Sequence, residues 1–479
     1  MRTDVPSFAV VGRVNKGKSS IVSTLVEDET VKIDKAPGTT RDCQEFELRV
    51  GSRVLCRLVD TPGFEDAPRA LAWMREREGS AADRPDVVAE FVRVHKGASE
   101  FREECRLLAP ILEGAGILYV VDASRPYRPN YEAEMEILQW TGHPRMALLN
   151  TISSDDHLEE WRRALDQYFS IVREFDAHES TFEDRVGLLR AFRELRHDGR
   201  PAIDAAIAEL EADWRRRRRE AAGHIADLLA DALSFTLEWP LKEGEDPSER
   251  REEWLDKFHD ELRGRERRER GAVEVLYRHE TLAREESELE RPIMERDLFA
   301  ETAWKVLGLD TWQLVRAGVI GGAAVGGTVD LAVGGASVLA GTVAGAVLGG
   351  LSSYYGARGM AQVEMLGRKL GGPVARIGPL RNPNFPWLLL DRALLHYKSV
   401  VQRAHARRDA LVLSRTDGKQ GLVARLGATQ QTELSRLFAR LVRGAAGQDD
   451  SDYRARLVEA LSNLLERVEH EDTGRPRSG

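Results

Sequence analysis

Apolar and polar positions fall into short, sharply bounded runs in the first third of the chain. Ser7–Val11 is a β-prone run that stops at Gly12. Lys18–Val26 has no breaker and carries apolar residues at helical spacing, which predicts a helix opening near Gly17. Residues 43–50 alternate and residues 53–60 form a second strand run, so the two predict a hairpin across Gly51-Ser52. Gly116–Asp122 is almost continuously apolar, the pattern of a strand covered on both faces, and 146–150 repeats it. Helical stretches separate these runs. The alternation predicts a doubly wound α/β domain with a mainly parallel sheet, ending near residue 180.

From about residue 181 the period is helical, over 183–196, 201–233 and 248–289, and charge is dense, with basic runs at 215–219 and 263–270. Such runs read as solvated helix faces, the other reading being a patch for acidic phospholipid or RNA. Composition then breaks. Residues 317–353 carry one charge, Asp330, and hold eleven of the chain's 41 glycines. Gly318, Gly322 and Gly326 are spaced by four, as are Gly341, Gly345 and Gly349, which lets helix backbones approach closely. At about 1.5 Å per residue, 331–353 is long enough for a bilayer core of about 30 Å and 317–329 is not. An interfacial or re-entrant hairpin with Asp330 near its tip and Arg316 and Arg358 as anchors fits that geometry. A buried Gly/Ala hairpin in a soluble domain is the alternative. The expected organisation is an α/β domain over 1–180 with an insertion at 65–115, a charged helical region over 181–314, the hairpin at 315–356, a helical region over 357–470 and a disordered tail at 471–479. Within it, 371–386 reads as turn-rich, and 387–407, 432–443 and 449–468 as helices.

Length, charge and cysteine usage narrow the classes. In 479 residues, 70 Lys+Arg against 79 Asp+Glu give a net charge of -9, which argues against wholesale coating of nucleic acid. A mean hydropathy of -0.40 excludes a polytopic membrane protein and leaves room for a single membrane-active segment. Cys43, Cys56 and Cys105 are scattered and read as reduced, small buried residues. The N-terminal residues lack a secretory pattern, so the chain reads as cytoplasmic, peripheral to or partly inserted at the inner membrane.

The chemistry sits at the first strand-to-helix junction. Gly12, Arg13, Val14, Asn15, Lys16, Gly17, Lys18 and Ser19 fit GxxxxGK[ST], and Ser20 follows. Backbone amides of such a loop and the helix start wrap phosphates, Lys reaches the β- and γ-phosphates, and Ser19 binds Mg²⁺. Asp60-Thr61-Pro62-Gly63 follows the hairpin's second strand: Asp60 can hold Mg²⁺ through water, and the Gly63 amide can sense the γ-phosphate. Pro37-Gly38-Thr39-Thr40-Arg41-Asp42 lies between, where a threonine can close on metal and phosphate.

GRVNKGKSS, PGTTRD and DTPG, in this order, resemble the Era/TrmE-type branch of the translation-factor-class GTPases over about 1–150. The resemblance implies a GTP/GDP-binding, GTP-hydrolysing switch with Mg²⁺ as cofactor. It implies Thr39 or Thr40, preferentially Thr40, as the switch I threonine, with Ser19, Thr40 and Asp60 around the metal. It implies that Asn15 helps hold a K⁺ beside the phosphates. Lys18, Thr40, Asn15 and Gly63 then act on the γ-phosphate. Phe64 follows DTPG, so the water-positioning glutamine of Ras-like proteins is absent. The guanine-reading NKxD is degenerate: Asn150-Thr151-Ile152-Ser153 keeps only the Asn, and Asp155 or Asp156 are the alternatives for its Asp. Asp176-Ala177-His178 is the best match to the base-backing SAK element. Between Phe64 and Gly116 lies an extended insertion, placed either to transmit nucleotide state or simply to pack. The region from about 180 resembles an uncharacterised bacterial C-terminal domain fused to Era-like G domains, which gives architecture and no activity. Two functions follow: a switch whose helical part engages membrane lipid through 317–353, alone, as a homodimer or with a partner protein, or a ribosome- or RNA-associated assembly GTPase. Nucleic acid is the less favoured partner because the chain has no basic recognition module.

Overall fold

The computed structural model describes residues 5–13, 17–27, 43–150, 157–195, 200–242, 249–279, 363–365, 368–370, 374–379, 385–405, 421–442 and 451–470. They fall into two compact units, one formed by Met1–Arg216 with Val401–Asp409, the other by Arg217–Val400 with Ala410–Gly479. The glycine-rich stretch 317–353 and the tail 471–479 lie outside the described residues.

The first unit alternates strand and helix. Its strands are β1 (Ser7–Val11), β2 (Gln44–Val50), β3 (Arg53–Asp60), β4 (Gly116–Asp122), β5 (Arg145–Asn150) and β6 (Ile171–Glu174). They form one sheet in the order β2-β3-β1-β4-β5-β6, antiparallel only at the β2–β3 hairpin. Around them run α1 (Lys18–Val26), α2 (Ala67–Arg75), α3 (Arg84–His95), α4 (Arg102–Leu112), α5 (Glu132–Trp140), α6 (Leu158–Leu165) and α7 (Phe182–Leu195). The two-residue period of the strands divides their side chains between two cores. Ala9, Val11, Tyr119, Val121, Ala147 and Leu149 face the helices α2–α6. Phe8, Val10, Leu118, Val120, Met146 and Leu148 face α1 and α7. Covered on both sides, β4 is buried along its whole length, which is why its sequence does not alternate. The insertion is a packed one: α2 and α3 add Met74, Val88 and Phe91 to the same core, each fully buried.

The second unit is mainly helical. It contains most of α8 (Arg200–Ser234), then β7 (Leu237–Pro240), α9 (Arg251–Leu276), β8 (Val363–Met365), β9 (Arg368–Leu370), β10 (Val374–Ile377), α10 (Phe385–Val401), α11 (Ala428–Val442) and α12 (Ser451–His470). The turn-rich reading of 371–386 misses β10, which pairs antiparallel with β7 from Val374–Pro240 to Ile377–Leu237. Its partner lies more than 130 residues earlier, so no local hairpin signal marks it. The basic run at 215–219 is not a uniformly solvated face either. Arg217 and Arg218 are buried, and Arg218 pairs with Glu466 at 2.5 Å and Glu469 at 2.9 Å.

α10 is buried on nearly every face. Its buried arginine, histidine and tyrosine are paired internally, as a low-dielectric interior favours. Arg392 binds Glu266 through two bonds of 2.8 and 3.0 Å, His396 meets Glu274 at 2.8 Å, and the Tyr397 and Tyr277 hydroxyls lie 3.0 Å apart. Asp391 accepts from the Val423 amide at 2.8 Å, while its second carboxylate oxygen is buried without a partner among the described residues. Among the described residues no helix is long and apolar enough to cross a membrane.

Burial pushes the Asp391 carboxyl up to about 7, against two backbone amides and Arg425 that pull it down. A raised carboxyl disfavours the folded state as pH climbs from the unfolded value, about 4, through 7. Asp391→Asn, which keeps the acceptor for Val423, should therefore raise the thermal midpoint at pH 8 by several degrees and barely change it at pH 4.5. Scanning calorimetry at the two pH values checks this; an equal effect at both contradicts it.

Candidate nucleotide site

β1 lies between β3 and β4 in parallel, with Val10 opposite Asp60 and Val11 opposite Tyr119. Three strand ends thus meet where β1 turns into α1. Gly12 starts the turn with φ +146°, and a Cβ there would stand 2.3 Å from the Val120 carbonyl oxygen. Only glycine lets the loop leave that close to β4. Gly17 ends it at φ +87°, in the left-handed region, as the N-cap of α1. A Cβ on Gly17 would lie 2.2 Å from Nδ2 of Asn150, so this glycine lets the end of β5 reach the loop. Ile21 N–H bonds back to the Gly17 carbonyl at 2.9 Å, leaving the first amides of α1 pointed into the turn.

Lys18 is buried, and its Nζ donates to the Gly12 and Arg13 carbonyls, both at 2.9 Å. Burial pushes its ammonium down, opposed by Asp60 and Glu134. Ser19 Oγ donates to Asp60 Oδ2 at 2.7 Å, which joins the start of α1 to the end of β3. Burial raises the Asp60 carboxyl, opposed by Ser19 and Lys18, and its Oδ1 is buried with no partner among the described residues. A hydroxyl beside a carboxylate with one unused oxygen is a donor set that suits Mg²⁺. Among the described residues no cluster of three or more His, Cys, Asp or Glu side chains could hold a metal. A metal here would therefore complete its shell with phosphate and water, as Mg²⁺ commonly does.

The segment after Asp60 is pinned on both sides of Gly63. Thr61 Oγ1 donates to the Val10 carbonyl at 2.8 Å. The Glu65 and Asp66 amides donate to one oxygen of buried Glu104, on α4, at 2.8 and 2.6 Å. Asp66 then caps α2 by accepting from the Arg69 amide at 3.3 Å. At the far side of the loop, Asn150 Oδ1 accepts from the Ala177 amide at 3.5 Å, and Thr24 Oγ1 donates to the Ala177 carbonyl at 2.8 Å. The Asp176–His178 turn is closed by the His178 amide on Asp176 at 2.7 Å. The Ala177 amide brings this turn against Asn150.

Gly12, Arg13, Gly17, Lys18, Ser19, Ser20, Asp60, Gly63 and Asn150 thus lie at the carboxyl ends of β1, β3 and β5 and at the start of α1. Val14, Asn15, Lys16, Thr39, Thr40, Asp155 and Asp156 lie outside the described residues. Arg13 presents its carbonyl to Lys18 and turns its side chain toward α5, where it meets Glu134. Sequence reasoning misses Glu134, Tyr119, Tyr131 and Glu104. A signal exists for the two acids: Glu134 shares a helix face with Ile137 and Leu138, and Glu104 with Leu107 and Leu108. A charge on an apolar stripe marks a buried partner.

A strand, a glycine-bounded loop with its lysine, a helix and a serine–aspartate pair at three adjacent strand ends define a P-loop GTPase-type domain. Residues 7–151 match the family described as 50S ribosome-binding GTPase. Residues 162–463, more than half of the chain, match the family described as domain of unknown function DUF3482, and the chain belongs to that family. The chain is similar to GTPase Der of Syntrophotalea carbinolica, 27% identical over 35% of this chain and 32% of that protein. It is similar to the tRNA modification GTPase MnmE of Geobacillus kaustophilus, 26% identical over 47% and 48%. Against MnmE of Moorella thermoacetica it is 35% identical over 23% of each chain. The chain spans less than half the length of these relatives.

Gly12→Ala forces either a backbone shift or the loss of the β4 contact, a strain on the order of 3 kcal/mol. Denaturant unfolding should register that loss, and nucleotide binding should fall with it. An unchanged midpoint would contradict the close approach to Val120.

Proposed function

We propose that this chain is a Mg²⁺-dependent GTP-binding and GTP-hydrolysing switch whose helical C-terminal part changes its association with a membrane as nucleotide state changes. The observation that carries the nucleotide reading is the convergence of Lys18, Ser19 and Asp60, with one Asp60 oxygen left over. Ser19 and Asp60 are the residues that would hold Mg²⁺, which when bound neutralises charge on the β- and γ-phosphates. Lys18 exchanges its carbonyl partners for phosphate oxygens or shares them, and the loop amides complete the cradle. The Gly63 amide, in the short span between anchored Thr61 and Glu65, takes the role of registering the γ-phosphate. Thr40 and Asn15 take the switch and K⁺ roles that the motifs imply. Asn150 and the Ala177 turn support a base site. With Thr151 and Ser153 in place of the Lys and Asp of NKxD, discrimination for guanine is weaker than that motif allows. Membrane engagement is supported by the composition of 317–353, with its single charge and glycine spacing.

The ribosome-associated reading draws on the description of the matched G-domain family. The net charge of -9 weighs against it. Lys18→Ala should abolish binding of a fluorescent GTP analogue, and normal binding would refute the nucleotide site. Co-sedimentation of the GTP-loaded chain separates the two readings. Pelleting with anionic liposomes, lost when 317–353 is deleted, is expected; pelleting with ribosomal subunits and not liposomes would replace the first reading with the second.

A further inference from the structure

Arg13 stands in the phosphate loop, but its guanidinium is committed elsewhere. Its Nε donates to the Glu134 carboxylate on α5, and Nη2 donates to the Asn130 carbonyl at 2.9 Å. The guanidinium carbon lies 4.0 Å from the centre of the Tyr131 ring, a cation–π contact. Glu134 is 1% exposed, and its other oxygen accepts from the Tyr119 hydroxyl at 3.0 Å. Burial pushes the Glu134 carboxyl up, and contact with Arg13 and Tyr119 opposes it. Burial, with Glu134 alongside, pushes the Tyr119 hydroxyl far above its ordinary value, so it stays a donor. Both Glu134 oxygens are therefore used, and Arg13 is fixed in direction by ring, carbonyl and carboxylate. A buried carboxylate close to a phosphate site opposes the bound anion unless it does something else for the site.

We propose that Glu134 is a positioning residue for the phosphate loop: through Arg13 it sets the two carbonyls, those of Gly12 and Arg13, that aim the Lys18 ammonium. The proposal rests on the nucleotide reading above. Gly12 is held by its close approach to Val120 on β4, and Arg13 by the tether to α5. The Lys18 Nζ sits on both carbonyls at 2.9 Å, so a loop that drifts at residue 13 carries its lysine with it. Misplacement of about 1 Å is enough to lose one to two orders of magnitude in an aligned site.

The test is a double-mutant cycle on the full chain, reading the dissociation constant of a fluorescent GDP and the thermal midpoint of the nucleotide-free protein. Arg13→Ala and Glu134→Ala should each weaken binding about tenfold, and the double variant by the same about tenfold, because both act through one link. Glu134→Gln keeps one acceptor oxygen for Arg13 and turns its NH2 to the Tyr119 hydroxyl oxygen, which can accept, so it should stay within about threefold of wild type. Unchanged affinity in the single variants, or losses that multiply to about a hundredfold in the double, would overturn the tether. Should Glu134→Ala fail to fold, Arg13→Met, which keeps the stem against Tyr131, carries the test: weaker binding at an unchanged midpoint supports the proposal, and unchanged binding overturns it. A wild-type chain that binds no guanine nucleotide would sink the nucleotide reading itself, a result distinct from a wild type that binds and variants that bind equally.

Discussion

The phosphate end of the first unit depends on β1 lying in parallel between β3 and β4. That pairing sets Asp60 beside Val10 and Tyr119 beside Val11. The serine at the start of α1 can then meet the aspartate at the end of β3, although 41 residues separate them. It also brings Gly12 against β4 so closely that no side chain fits. Parallel order places every loop of interest at the carboxyl ends of the strands, where ligands bind in open α/β sheets. The site is a consequence of strand order, and the side chains refine it.

Two buried carboxylates show how the refinement works. Glu134 ties the phosphate loop to α5, and Glu104 ties the start of α2 to α4. Each accepts two donors, and each sits on a helix face otherwise given to leucine and isoleucine. α5 and α2 are themselves joined where Arg75 meets Glu136 at 2.7 Å. The loop before Gly63 is held by Thr61 and the loop after it by Glu104, so Gly63 is the short span left between fixed points. In the second unit the same economy recurs around α10, whose arginine, histidine and tyrosine are paired inside a helix buried nearly all round.

Much of this was legible in the sequence. The runs at Ser7–Val11, residues 43–60 and Gly116–Asp122 are strands, since period-two and fully buried patterns are local properties of the chain. The glycine-bounded loop, Ser19 and Asp60 were legible because phosphate chemistry fixes their spacing. The turn at Asp176–His178 follows β6 and meets Asn150 through the Ala177 amide. What escaped is non-local. β10 finds its partner in β7 across more than a hundred residues, beyond any hairpin signal. Arg13 reads as a phosphate-loop residue, and its side chain serves another helix. Arg218, in a run of five arginines, is paired with Glu466 and Glu469 of α12, which periodicity within α8 does not reveal.

The proposed Mg²⁺–GTP site is built from Lys18, Ser19 and Asp60 where three strand ends meet. Phosphate release from GTP by the intact chain, followed with and without Mg²⁺, tests it most directly. Turnover should require Mg²⁺ and return when the metal is restored. Phosphate release that is absent, or that proceeds equally in chelator, would contradict it.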